Sequence, residues 1–284
     1  MESVSEQITE KDIASYVYDR YKNVFSKELL ERYTRDYIGF TSAKFIYKNK
    51  LSTFLCKNHK ILDIGCGAGS LVLYLHKKGY EAYGIEINEF EYKIAKQRFD
   101  QLYQDKKSIY AHGSALELPY PDNSFDIVTF FDVLEHIENY ELALKEAKRI
   151  LKANGKIFII APNYCAFRQE AHYHVPWIPF FPRKLAVTYL KLLGKDPWFY
   201  NECVFHLTNY KIIRILRKLD LTISSPVQEK IKENYQFNLK WFSNLLSFSK
   251  KFHLISLVNF VIKMILYNPF KKSLDLVAIK DRNG

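Results

Sequence analysis

The sequence predicts an α/β fold, a mostly parallel sheet with helices on both faces. From Lys60 onward, short apolar runs alternate with segments of helical periodicity. A glycine-rich stretch, GCGAG at 65–69, directly follows the first apolar run. Alternation of this kind is typical of parallel strands joined by helices. In such open sheets, ligands bind at the carboxyl ends of the strands, so we expect a ligand at the glycine-rich turn.

The composition fits a chain with a sizeable core. Of its 284 residues, 48 % are hydrophobic and 16 % aromatic, which excludes wholesale disorder. The net charge of +11 predicts an anionic neighbour: nucleic acid, an anionic membrane surface or a phosphorylated substrate. The four cysteines follow neither metal-type nor secreted spacing, and the first residues show no signal-peptide pattern. We therefore expect a cytoplasmic protein.

Residues 1–57 are expected to form a helical extension or lid before the main domain at 58–284. Apolar and aromatic residues recur at helical intervals between 10 and 50, which predicts two helices. Two segments, about 164–205 and 232–270, interrupt the later strand–helix rhythm and are interpreted as insertions on the acceptor side.

The elements of the main domain follow from apolar runs and helical spacing. Strands are predicted at 60–65, 81–87, 108–113, 126–134, 154–162, 221–226 and 274–281. Helices are predicted at 70–79, 89–99 and 140–151, and a further helix after His206, capped by Thr208 or Asn209.

The glycine loop predicts a cofactor with a nucleoside. A strand running into such a loop and then into a helix leaves backbone N–H groups facing the turn. Gly65, Gly67 and Gly69 give G-x-G-x-G, which differs from the dinucleotide pattern G-x-G-x-x-G. Glu86 lies 21 residues after Gly65, close to where an acid binds ribose hydroxyls.

Several stretches in order resemble the motifs of class I S-adenosylmethionine-dependent methyltransferases. They are LDIGCGAG, the acid in GIEIN, SALELPYPDNSFDIV, FFDVLEHI and LKANGKIFIIAPN, within residues 58–163. The resemblance implies a Rossmann-like seven-stranded sheet of order 3-2-1-4-5-7-6 with the last strand antiparallel. It also implies S-adenosylmethionine as the cofactor.

The resemblance assigns the cofactor contacts as follows. Asp63 and the loop hold the methionine end, and Glu86 binds the ribose. Ile87 borders the adenine, together with Ser114, which stands where many relatives have Asp. The full expected set is Asp63, Gly65, Cys66, Gly67, Gly69, Glu86, Ile87, Ser114, Ala115, Leu116 and Phe131.

Asp132, Glu135 and His136 form the candidate catalytic cluster, after the fourth strand. These side chains could simply shape the turn and the cofactor pocket, or His136 could act as a general base. We expect no metal. The remaining alternative is a divalent-metal site of Asp132, Glu135 and His136, resembling the E-x-x-E-H motif of some O-methyltransferases. A fourth ligand would come from His172, His174 or His206, and hard oxygen ligands would favour Mg²⁺ or Mn²⁺.

Acceptor contacts are expected from the stretch HYHVPWIPFFPRK, in which prolines exclude a regular helix. His172 and His174 would face the same side if this stretch is extended. Trp177 and His206 are the other candidates. The alternative is that the aromatic side chains only cover the edge of the sheet.

The segment 252–270 is apolar but does not predict a transmembrane helix. Ser256, Asn259 and Lys263 form a polar stripe at helical spacing, and the uninterrupted apolar runs are too short to span a bilayer. Lysines beside apolar helices at 236–270 suggest peripheral binding to an anionic membrane, such as an inner membrane face. Packing on the core and dimerisation are the alternatives.

The sequence therefore predicts a methyltransferase acting on a small molecule with an apolar, lipid-like or glycan-type portion, with O-methylation favoured. An RNA methyltransferase is the alternative, supported by the charge and by 21 Tyr and 21 Phe residues. The sequence shows no appended RNA-binding module in its favour. A non-catalytic protein that binds S-adenosylmethionine is the third hypothesis.

Overall fold

A seven-stranded sheet forms the centre of the computed structural model, which describes residues 7–104, 107–232, 255–268 and 270–281. Its strands are β1 (Lys60–Ile64), β2 (Glu81–Glu86), β3 (Tyr110–His112), β4 (Phe125–Phe131), β5 (Leu151–Pro162), β8 (Leu221–Ser224) and β9 (Ser273–Lys280). The order is β3-β2-β1-β4-β5-β9-β8. β9 alone runs in the opposite direction to the other six strands of this sheet. This confirms the expected Rossmann-like order with an antiparallel last strand.

The central strands form because their apolar runs are buried on both sides, as parallel sheets require. Leu62 in β1, Val128 in β4 and Ile157 in β5 are all fully buried. β4 ends at Phe131, earlier than the predicted 134, because Asp132 takes a positive φ of 54°. That left-handed conformation turns the chain out of the strand.

Helices cover the sheet and continue beyond it. They are α1 (Glu10–Tyr21), α2 (Lys27–Ile38), α3 (Thr41–Ile46), α4 (Ser70–Lys77), α5 (Glu89–Asp100), α6 (Tyr140–Ile150), α7 (Arg183–Leu192), α8 (Trp198–Cys203), α9 (Asn209–Lys218), α10 (Pro226–Lys232) and α11 (Ile255–Leu266). Thr208 caps α9 by accepting a hydrogen bond from the Lys211 N–H, which confirms one of the two predicted caps.

The N-terminal segment contains three α-helices, so the prediction of two was wrong. Ser26 caps α2 with its side chain, and α2 ends at Gly39. A Cβ at Gly39 would lie 2.8 Å from the Arg35 carbonyl oxygen, so the chain leaves the helix at a residue that lacks one. The chain then becomes helical again in α3 and in a π-helical turn, Tyr47–Leu51. Hydrophobic periodicity alone does not show this break.

A second hydrophobic cluster, called here the second core, joins the N-terminal helices to the segment 164–205. Its buried members include Val17 from α1, Leu190 from α7 and Tyr200 from α8. Ala68 of the glycine loop and Ile94 of α5 belong to the same cluster. The N-terminal extension and the insertion 164–205 therefore pack against each other at the ligand end of the sheet.

The C-terminal region is described in part. α10 and α11 lie on either side of residues 233–254, which are outside the described residues, as is the predicted helical spacing at Trp241, Leu245 and Phe248. Within the described ranges, no helix combines the length and the apolar character needed to cross a bilayer.

Candidate functional site

A cavity of about 880 Å³ opens at the carboxyl ends of β1, β2 and β4. The glycine loop and the ends of β2 and β4 form its floor, and α1, α2, α3 and α8 contribute the walls. All expected cofactor residues except Gly69 line it: Asp63, Gly65, Cys66, Gly67, Glu86, Ile87, Ser114, Ala115, Leu116 and Phe131. Gly69 is instead packed behind the loop.

The loop glycines have two different functions. A Cβ on Gly65 would lie 2.6 Å from Val133, and one on Gly69 would lie 2.5 Å from the Tyr110 hydroxyl. Both also have positive φ angles, so these glycines allow close packing behind the loop. Gly67 has φ 53°, and a Cβ there would meet only Glu91 Oε2 at 3.3 Å. The loop is thus closed at the back and open towards the cavity.

Asp63 is a buried carboxyl group at the end of β1. Its Oδ1 accepts a hydrogen bond from Thr129 Oγ1 at 2.5 Å. Burial raises the pKa of Asp63 to about 7; the Thr129 hydrogen bond opposes this rise, and the charge of Glu86 adds to it. A cationic ligand beside Asp63 would favour the ionised form.

Glu86 is held at the end of β2 by two backbone amides. Its Oε2 accepts from the Gly67 N–H and its Oε1 from the Asn88 N–H, both at 2.8 Å. A carboxylate has further lone pairs, so Glu86 can accept hydroxyl protons from the cavity while it holds the loop. Ile87, 67 % exposed, lies next to it as an apolar surface.

The N-terminal helices contribute cavity residues that the sequence did not reveal. Tyr16 and Tyr37 both donate hydrogen bonds to Glu91 Oε1, at 2.7 and 3.0 Å. Arg20 and Tyr33 line the cavity directly. The tyrosine spacing in α1 indicated a buried helix face, but no local motif indicated a ligand.

The catalytic cluster lies on the turn after β4. Asp132 and His136 line the cavity. His136 Nδ1 lies 2.5 Å from the Cys203 carbonyl oxygen, so Nδ1–H donates and Nε2 keeps its lone pair. Burial, and then the charge of His172, lower the pKa of His136 to about 4. Burial raises the pKa of Asp132, and His172 opposes that rise.

Glu135 is 1 % exposed and does not itself line the cavity. Its Oε2 has no hydrogen-bond partner among the described residues. Burial, and then the charge of Asp132, raise the pKa of Glu135 well above the ordinary value. A buried carboxyl oxygen without a partner is uncommon and suggests a missing ligand.

None of the four expected acceptor residues lines the cavity, which corrects their assignment as direct contacts. Trp177 is 2 % exposed, with Nε1 donating to the Tyr164 carbonyl oxygen. His206 stacks on the Tyr164 ring, so both belong to the packing beneath the cavity.

The two histidines of the hairpin also differ from the expectation. Residues 171–173 form a turn between β6 (Arg168–Gln169) and β7 (Pro176–Trp177), and His174 has φ 54°. His172 and His174 therefore do not alternate along an extended chain. His174 is exposed, whereas the His172 ring lies 5.2 Å from the His136 ring, centroid to centroid.

Comparison with known sequences gives one family and a set of partial relatives. Residues 62–159 match the family described as a methyltransferase domain. A demethylmenaquinone methyltransferase of Bacillus mycoides (strain KBAB4) is 33 % identical over 137 residues, 46 % of this chain and 57 % of the relative. One of Staphylococcus aureus (strain MRSA252) is 34 % identical over 119 residues, 40 % and 48 % of the two chains. The chain thus spans about half the length of these relatives.

A solved structure gives a wider but more distant match. It is a protein from Galdieria sulphuraria with a provisional sarcosine dimethylglycine methyltransferase name. The match covers 94 % of this chain and 97 % of the chain of that protein, with a TM-score of 0.50 and 16 % identity. At this identity the likeness concerns the fold alone.

Proposed function

We propose that this chain, whose residues 62–159 match a methyltransferase domain, is a class I S-adenosylmethionine-dependent methyltransferase and transfers the cofactor's methyl group to a small-molecule acceptor. The observation that carries the proposal is the cavity of about 880 Å³ at the carboxyl ends of the strands. The glycine loop and Glu86 line it together with Asp132 and His136. A cofactor site and a cluster able to handle protons therefore share one cavity.

The residues present fit S-adenosylmethionine. Glu86 has acceptor capacity for the ribose hydroxyls, and the open face at Gly67 admits the sulfonium side of the cofactor. Asp63 matches the positively charged methionine end. Ile87 offers an apolar surface to the adenine, next to the segment 114–116. When bound, the cofactor supplies an activated methyl group, and the protein must align an acceptor with it.

We propose O-methylation, with Asp132 as the group that accepts the hydroxyl proton. A hydroxyl must lose its proton during transfer, and a carboxylate at the cavity wall whose pKa is raised can take it. His136, whose pKa is lowered to about 4, is neutral near pH 7 and suits orientation of the acceptor oxygen. Alignment itself can supply up to about 7–11 kcal/mol of rate enhancement.

The acceptor is proposed to have an apolar or lipid-like portion. Tyr21, Tyr33, Phe131 and Phe199 give the cavity aromatic walls among its charged and polar side chains, and such walls can pack against an apolar portion of an acceptor. The curated relatives named demethylmenaquinone methyltransferase act on a lipid-like quinone precursor by name, which supports this class of acceptor.

A transfer assay tests the function. The full chain is incubated with methyl-labelled S-adenosylmethionine and a fractionated cell extract, and label is counted in the lipid, polar small-molecule, protein and RNA fractions. We expect label in the lipid or small-molecule fraction, lost in Asp132→Asn. Label confined to RNA would favour the alternative of an RNA methyltransferase. Cofactor binding without transfer to any fraction would favour a non-catalytic role.

We further propose peripheral binding to an anionic membrane by the face that includes α9 and α11. Phe260 and Met264 of α11 are exposed at helical spacing. Arg214 and Arg217 of α9 line a shallow groove with Tyr267, which follows α11. Apolar side chains beside arginines suit an interface with anionic lipid. Of the predicted segment 236–270, residues 236–254 lie outside the described residues.

A further inference from the structure

We propose that Glu135, His136 and His172 form a binding site for a divalent first-row transition-metal ion beside the acceptor end of the cavity. One ligand atom from each residue lies within 4.8 Å of the others. Two ligands each about 2.1 Å from a tetrahedral ion lie about 3.4 Å apart. Side-chain movements that close up to about 1.4 Å would therefore bring the three groups to metal-binding distances.

The unpartnered oxygen of Glu135 points to a ligand at this place. Glu135 is 1 % exposed, and its Oε2 has no hydrogen-bond partner within the described ranges. Leaving such an atom unsatisfied is unfavourable, because the oxygen loses its bonds to water and gains none in the protein. The two histidines beside it offer no bond to this oxygen in the structure, whereas an ion bound between the three side chains would satisfy it.

Both imidazoles are oriented by bonds at Nδ1, so Nε2 is the nitrogen left for a ligand. His136 Nδ1–H donates to the Cys203 carbonyl oxygen at 2.5 Å. His172 Nδ1 lies 3.1 Å from Glu170 Oε1, and the His172 side chain is 12 % exposed. A carboxylate or carbonyl behind each ligating histidine is a common arrangement around protein-bound metals.

Glu170 is itself fixed in place, which makes this arrangement rigid. Its side chain is fully buried. Its Oε2 accepts from the N–H groups of His172 and Tyr173 at 2.6 and 2.7 Å, and its Oε1 accepts from the Tyr164 hydroxyl at 2.9 Å. The hairpin turn at 171–173 is therefore wrapped around a carboxylate that holds the His172 ring against the turn after β4.

The donor set determines the class of ion. Two imidazoles and one carboxylate suit zinc and its first-row neighbours better than Mg²⁺, and in zinc sites this set leaves a position open for another ligand. His172 thus takes the place expected for Asp132, which is not in the group of converging atoms. With two imidazoles among the three ligands, the site favours zinc and its neighbours over the Mg²⁺ or Mn²⁺ expected from the sequence. Because His136 lines the cavity, an open position can be reached by an acceptor oxygen.

The test is zinc binding by the full chain without an affinity tag. Chelator-treated protein is titrated with Zn²⁺ by calorimetry, and bound metal is counted after dialysis. We expect one ion per chain, and a rise in melting temperature with Zn²⁺. His172→Ala and Glu135→Gln should abolish stoichiometric binding. Glu170→Gln should weaken it by about 10–100-fold. His174→Ala is the matched control on the same hairpin and should bind as the parent does.

Binding that is unchanged in both His172→Ala and Glu135→Gln, or the lack of stoichiometric binding by the parent protein, would overturn the inference. Affinity for S-adenosylhomocysteine is measured on the same samples and should stay near the parent value, which shows that the variants are folded. The inference does not depend on methyl transfer. If the parent bound zinc but not S-adenosylhomocysteine, the proposed function would fail and the metal site would stand.

Discussion

Glu86 is the residue whose contacts most directly join the cofactor loop to the ribose end of the cavity. It accepts hydrogen bonds from Gly67 and Asn88, and both would weaken in Glu86→Gln because the charge is lost. Hydrogen bonds to charged groups contribute about 1.5–3 kcal/mol each. We expect affinity for S-adenosylhomocysteine, measured by calorimetry, to fall by about 10–100-fold. Glu81→Gln, at the exposed start of the same strand, is the control; equal affinities in the two variants would refute the assignment.

Asp63 predicts a pH dependence of cofactor binding. Its pKa of about 7 in the free protein means that the proposed contact with the α-ammonium group must displace a proton below that pH. Affinity for S-adenosylhomocysteine should therefore increase about tenfold from pH 6 to pH 8. Asp63→Asn should bind more weakly, without this slope. A parallel pH dependence in the variant would contradict the prediction.

The same shift has a consequence for stability. The folded state binds the Asp63 proton more tightly than the unfolded chain, whose ordinary pKa is 3.8. The contribution of this proton to stability is therefore complete below about pH 4 and is lost as the pH rises through about 7. Asp63→Asn should remove that part of the pH dependence of unfolding by urea.

The proposed role of Asp132 as proton acceptor predicts a loss of turnover that a nearby acid at the cavity wall should not show. Asp132→Asn keeps the shape of the side chain but removes the proton acceptor, so kcat should fall by about 10²–10⁴-fold. Affinity for S-adenosylhomocysteine should change less than about threefold, because the cofactor residues are unaltered. Glu138→Gln, also at the cavity wall, is the control. A similar loss in both variants would indicate a general electrostatic effect.

Single residues differ in how far the sequence could predict them. Asp63 and Glu86 stand in local strand–loop motifs, so their place in the cavity was predictable. Glu91 and Arg20 reach the cavity through packing between α1, α2 and α5, which short-range patterns do not contain. His172 was a candidate both as an acceptor contact and as the distant metal ligand, and its ring lies next to that of His136 on the turn after β4.

At the scale of elements, α1 and α2 are the parts whose mobility should respond to the cofactor. Tyr16 and Tyr37 bind Glu91, and Arg20 and Tyr33 line the cavity. Amide hydrogen exchange in these two helices should slow when S-adenosylhomocysteine binds. α6 lies outside the cavity lining and serves as the internal control. Equal protection of α1 and α6 would argue for global stabilisation instead.

Elements were predictable where one local signal decided them. The apolar runs of β1, β2 and β4 and the Thr208 cap are such signals. The break between α2 and α3 was not, because the apolar spacing continues across Gly39. The end of β4 was also missed, since the left-handed Asp132 is followed by further apolar residues.

At the scale of the whole molecule, charge and apolar exposure predict a membrane response. The net charge of +11 and the exposed Phe260 and Met264 should bring the protein to vesicles of phosphatidylglycerol but not of phosphatidylcholine alone. Binding in a sedimentation assay should weaken as salt rises, because the surface charges are screened. Phe260→Ser with Met264→Ser should weaken it at low salt as well. Equal binding to both kinds of vesicle would exclude the electrostatic part of this proposal.

The order of the sheet could not be obtained from composition or periodicity, which predicted parallel strands without their neighbours. The resemblance supplied that order, and the antiparallel β9 between β5 and β8 agrees with it. Contacts between the flanking segments remained beyond reach, because they join residues far apart in sequence.

The second core has a consequence for anyone who would redesign the acceptor specificity. Val17 and Leu190 belong to one buried cluster, although one lies in the N-terminal extension and the other in the insertion 164–205. In a chimaera that takes only 164–205 from another enzyme, the new side chains would pack poorly against α1 and α2 of this chain. If 7–57 and 164–205 are exchanged together, the contacts between them are kept, so these two segments form the exchangeable unit.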